Sequence, residues 1–86
     1  MPPSIELDVA RLHLVQVEQD AEELALQLAR NGGDSAVVGF LKNLGEAYDR
    51  EKQGWPMPES VFRCSRALTL YDQYKDARAV LARTKG

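Results

Sequence analysis

The residues from Leu7 to Leu28 constrain this chain more than any others. Leu7, Ala10, Leu14, Val17, Ala21, Leu24 and Leu28 recur at steps of three and four. On a helix of 3.6 residues per turn that spacing sets every one of these apolar side chains in a single line. Neither Gly nor Pro falls between Ile5 and Arg30, so no strong helix breaker interrupts it. Apolar atoms in such a line gain only by leaving water. The line needs a cover, from later helices of this chain or from a second chain.

Eighty-six residues fit one small domain with a thin core, which a partner subunit would help stabilise. The apolar and charged fractions, 44% and 28%, are those of an ordinary soluble protein. No apolar run approaches the roughly 18 residues of a membrane span. Met1-Pro2-Pro3-Ser4 lacks the basic patch and apolar run of a secretory signal. Cys64 is the only cysteine, which excludes an internal disulfide. Together these features point to the cytoplasm.

A net charge of −2 argues against general affinity for nucleic acid. The charge is unevenly spread. Residues 1–30 hold six acidic side chains against Arg11 and Arg30, and residues 50–86 hold eight basic against four acidic. The plain expectation is that the two ends face each other across a bundle. The sharper one is a basic C-terminal face for an acidic partner or a phosphate backbone.

Ser4 suits an N-cap, with Glu6 and Asp8 in the first turn, where negative charge complements the helix dipole. The pattern predicts a first helix over about 5–30, stopped by Asn31-Gly32-Gly33. A second line, Ile5, Val9 and Leu12, lies opposite the first, so the N-terminal half should meet two neighbours and the C-terminal half one. Asp34 or Ser35 caps a second helix over about 35–53, whose inner line is Val37, Leu41, Leu44 and Tyr48 with Phe40 beside it. Gly39 and Gly45 each cost about 1 kcal/mol inside a helix, which reads as close approach of another backbone. Residues 54–58, containing Trp55-Pro56-Met57-Pro58, form a turn. One further helix is expected over about 59–84, with a second turn near residues 72–74 as the alternative. The resulting fold class is all-α: a small antiparallel bundle of three helices, or four if the last breaks, with a long first helix.

Leu44-Gly45-Glu46-Ala47-Tyr48 resembles the first helix of a tetratricopeptide repeat, which favours Leu-Gly-x-x-Tyr. Ala67-Leu68-Thr69-Leu70, then Ala77 and Leu81, resembles the end of such a repeat running into the next. Asp72 stands where the family has its turn proline. The resemblance spans roughly residues 38–84. It implies paired helices that cross closely at Gly45 and Ala67, with the first helix as their cover.

Candidate chemistry is sparse. His13 is the only histidine, and one histidine with no second histidine or cysteine at ligand spacing makes neither a zinc site nor a base–nucleophile pair. Glu18/Glu22 and Asp72/Asp76 sit one turn apart, a spacing that a solvated face shares with divalent-cation sites. Cys64 lies on the inner line of the last helix and reads as a small core residue. Asn31-Gly32-Gly33-Asp34 lacks the lysine and preceding strand of a phosphate loop. No catalytic residue, metal ligand or cofactor site is therefore assigned.

What remains is surplus apolar surface. Ile5, Val9 and Leu12 have no obvious cover in the chain. Trp55 either closes the end of the bundle or projects as an anchor, and Phe62 lies with Val80 on the outer side of the last stretch. Ile5, Val9, Leu12, Trp55 and Phe62 are the candidate partner-binding residues. Burying three aliphatic chains contributes roughly 1.5–3 kcal/mol each before binding costs. The function expected is a non-enzymatic interaction module, such as an adaptor, a chaperone-like subunit or a regulator. Its partner would be another protein or a second copy. The alternative is a small DNA-binding regulator, against which the Gly-Gly and Pro-Met-Pro turns and the acidic balance weigh.

Overall fold

The long line of α1, Ser4–Arg30, is the spine against which two of the shorter elements lie, the other two packing on those. The computed structural model describes residues 4–85 and the side chains of residues 8–83. Those residues form α1, α2 (Ser35–Lys42), α3 (Leu44–Lys52), α4 (Glu59–Phe62) and α5 (Ser65–Lys85), with no strand among the described residues. The molecule extends 49 × 28 × 17 Å, and α1, at about 1.5 Å per residue, accounts for about 40 Å of the longest dimension.

Ala10, Val17, Ala21 and Leu24 of the first line are buried, and Leu14 and Leu28 are half-buried. Leu7 and Ile5 carry side chains outside the described residues. α1 lies against both α2 and α5. Burial is concentrated in its C-terminal half, where Ala25 joins Ala21 and Leu24. α2 contributes Val37, Phe40 and Leu41 to the core, α4 Val61, and α5 Ala67, Tyr71 and Tyr74. Alanines at both Ala21 and Ala67, each fully buried, keep side chains short where helices meet.

The helix ends follow local chemistry. Gly32 takes φ +71°, the Gly33 N–H donates to the Leu28 carbonyl at 2.6 Å, and the Gly32 N–H to Ala29 at 3.4 Å. This is a Schellman motif, which satisfies carbonyls the helix leaves free. Asp34 accepts a hydrogen bond from the Ala36 N–H at 2.8 Å and caps α2. α3 ends like α1, with Gly54 at φ +92°, the Trp55 N–H on the Arg50 carbonyl and the Gly54 N–H on Glu51. The turn over residues 54–58 is as expected.

Two helix boundaries differ from the sequence reading. The expected helix 35–53 is broken at Asn43, with φ −132° and ψ 52°. The Asn43 backbone N–H donates to Phe40, and its side-chain amide takes the Gly39 carbonyl at 3.2 Å. The side chain thus replaces the backbone bond that a continuous helix would make, the competition that makes asparagine a weak helix-interior residue. The last stretch breaks at Arg63–Cys64, and α5 continues through Tyr71–Tyr74, so the turn near 72–74 is absent. Val61 and Ala67 are both fully buried. On one unbroken helix they would point about 120° apart, and the break turns both inward.

The reading of Gly39 and Gly45 as sites of backbone approach also fails. Space at Gly39 is open, while a Cβ at Gly45 would meet the Tyr74 hydroxyl at 3.2 Å. Gly45 accommodates a side chain, and Gly39 accommodates nothing in this chain. Gly39→Ala should therefore raise stability by about 0.5–1 kcal/mol through helix propensity alone, read as a higher urea midpoint with an unchanged m-value.

Candidate interaction surface

Opposite the buried line of α1, Val9 is 61% and Leu12 70% exposed. Val15 and Leu26 are exposed on the same side, which the sequence reading missed. Val15 falls three residues after Leu12, and Leu26 two heptads after it, so the heptad spacing carried the signal. Between and beside these apolar residues stand Asp8, Glu18, Asp20, Glu22 and Glu23, all exposed. Steps of 100° per residue place Asp8, Glu22 and Glu23 on the same side as Leu12 and Leu26, and Glu18 and Asp20 on its flanks.

The acidic α1 and the basic α5 face each other, as expected, but no ion pair joins their described residues. Among the described residues the ion pairs are Glu46–Arg50, Glu59–Arg63 and Glu51–Lys75, and none joins α1 to another helix. Arg66 shares a shallow groove with Asp20 and Glu23 without coming within 4.0 Å of either. The acid of α1 therefore keeps most of its field toward solvent.

A second surface is a groove of about 670 Å³ where α2 and α3 meet the turn at residues 55–58. Its walls include Gly39, Phe40, Met57 and Tyr71, and Trp55, 65% exposed, stands on its rim. The Asn43 break shapes it, which is why a reading with one straight helix did not find it. Its charged groups are held: Arg50 pairs with Glu46, and Glu51 accepts from the Tyr71 hydroxyl at 2.8 Å and from Lys75 at 3.5 Å. Beside it, Phe40 meets Tyr71 edge-on at 5.0 Å. The Arg78 guanidinium lies 4.9 Å from the Tyr48 ring centre, and its Nη1 donates to the Tyr74 hydroxyl. Phe40–Tyr71 joins α2 to α5, and Arg78–Tyr48 joins α3 to α5.

Burial, then the hydrogen bond to Glu51 and its negative charge, hold the Tyr71 phenol well above its usual value. The folded state therefore favours the neutral phenol. Its contribution is whole below about pH 10, the unfolded value, and is lost as pH rises toward the folded value. Tyr71→Phe should cost about 1 kcal/mol at neutral pH and flatten the fall in stability above about pH 10, both read from urea melts across pH.

The candidate residues do not form one site. Val9 and Leu12 lie on α1, Trp55 borders the groove, and Phe62 is exposed on α4 outside the groove lining. Ile5 belongs to α1, but its side chain lies outside the described residues. Val80, grouped with Phe62 in the sequence reading, is half-buried. Cys64 is half-buried against the core, and His13 is exposed. No group of three potential metal ligands occurs among the described residues, and none of their helices is long and apolar enough to cross a membrane. No family model, curated protein or solved structure matches the chain.

Proposed function

We propose that this chain is a non-enzymatic protein–protein interaction module, an adaptor, chaperone-like subunit or regulator of a larger protein. It works by docking a helix of another polypeptide on the outer face of α1. The observation that carries this reading is the exposure of Val9 and Leu12, 61% and 70%, with Val15 and Leu26 also exposed, away from the side of α1 that faces the core. Apolar surface repeated along one side of a helix gains by being covered. Held charges in the groove and a lone exposed histidine favour binding over catalysis.

The reading takes the chain as a cytoplasmic bundle with α1 and α5 antiparallel. A shared groove between Asp20–Gln27 and Ser65–Leu70, which joins the end of α1 to the start of α5, supports that direction. The repeat resemblance is kept only as a proposal of shared helix spacing, supported by Gly45 against Tyr74.

A photoreactive side chain introduced at position 12, in the native host, tests the reading. The expected result is a cross-linked adduct with a second polypeptide, absent when the same group replaces exposed Lys42 on α2. Equal adducts at both positions, or none at position 12, would contradict it.

A further inference from the structure

Resting on the docking role just proposed for α1, we infer that the partner is a basic amphipathic helix of a different protein, with apolar side chains over Leu12, Val15 and Leu26, Val9 at their edge, and Lys or Arg side chains over Glu18–Glu23. The first observation is complementarity. The docking face carries exposed Asp8, Glu18, Asp20, Glu22 and Glu23, and no described cation of this chain lies within ion-pair distance of them. An occupant with positive flanks would meet apolar and charged requirements together, and would be drawn in by the field.

The second observation concerns a second copy of the chain, which fits the face poorly. In a parallel α1–α1 pairing every acidic residue sits beside its own twin. An antiparallel pairing over the whole line has its midpoint between Val17 and Glu18. It sets Glu23 over the second copy's Leu12 and Asp20 over its Val15, placing carboxylates against apolar surface. An overlap confined to Val9–Val15 spans only about two turns. That falls well short of the roughly 800 Å² per partner of a stable interface. Each of these three arrangements either opposes like charges, buries carboxylates or is too small.

Two synthetic helical peptides test this, each with leucine at every a and d position of three heptads, one flanked by lysine and the other by glutamate. Fluorescence anisotropy against the full chain should show the lysine peptide binding at least about tenfold more tightly than the glutamate peptide. Its affinity should fall at least about tenfold between about 50 and 500 mM salt. The variant E18K/E22K/E23K should invert the preference, and V9D/L12D should lose both peptides, each variant being checked for native helix content. Equal binding of the two peptides would overturn the basic partner, as would V9D/L12D holding the lysine peptide as tightly as the unmodified chain. If neither peptide binds but the chain self-associates and V9D/L12D abolishes that, the docking role stands and the basic partner falls. If neither peptide binds and position 12 yields no adduct in the host, both fall.

Discussion

Val17→Asp should leave the chain largely unfolded at neutral pH, with helical ellipticity and cooperative melting both lost. Val17 is 2% exposed and sits in the core between α1 and its neighbours. A carboxylate there has no described cation to pair with. Lost apolar burial and an unpaired buried charge together cost about 3–5 kcal/mol. A chain of this size holds roughly 4–13 kcal/mol at about 0.05–0.15 kcal/mol per residue. The thin core places this protein in the lower part of that span, so one substitution of this kind removes most of its stability. Urea melts followed by circular dichroism check the prediction; a cooperative transition with a midpoint near that of the unmodified chain would contradict it.

The same chemical change eight residues earlier should do almost nothing to the fold. Val9→Asp and Leu12→Asp remove side chains that already face water, and surface substitutions of that kind usually alter stability by about 0.5 kcal/mol or less each. Their effect belongs to association. Covering two aliphatic side chains contributes roughly 1.5–3 kcal/mol each, and about 1.4 kcal/mol is a factor of ten in affinity. V9D/L12D should therefore weaken the complex at least about 100-fold while melting within about 1 kcal/mol of the unmodified chain. Titration of the partner peptide and urea melts on the same samples separate the two effects. The pair of experiments distinguishes the two sides of α1: one side holds the molecule together, and the other is left over.

Much of this was readable in the sequence because α1 obeys a single period for its whole length. The buried line from Ala10 to Leu28 and the exposed Val9 and Leu12 both follow from spacing, with no tertiary information needed. The stops at Gly32 and Gly54 were equally legible, since glycine next to the end of a periodic run has a specific backbone use. The two internal breaks were not. Asn43 diverts one hydrogen bond to its own side chain, and the apolar pattern runs on through it unchanged. The break at Arg63–Cys64 contains neither Gly nor Pro; the need of Val61 and Ala67 to share one core sets it, and that need exists only once the helices are assembled. The groove beside Trp55 depends on the Asn43 break and was hidden with it. The acidic flank of α1 was visible as composition. Its significance was not, because only the structure shows that the basic α5 packs on α1 without an ion pair between their described residues.

The central claim is that the outer side of α1 receives another chain. Methyl resonances of the valine, leucine, alanine and methionine side chains and the Trp55 indole signal, followed while the lysine-flanked peptide is added, test it most directly. The account predicts that Val9, Leu12, Val15 and Leu26 shift together in a saturable way, while Val17, Leu24 and Val61 in the core stay in place. Shifts centred on Ala36, Ala47, Met57 and the Trp55 indole, which line the groove, with Val9 and Leu12 unmoved, would show that the groove is the docking surface and would contradict it.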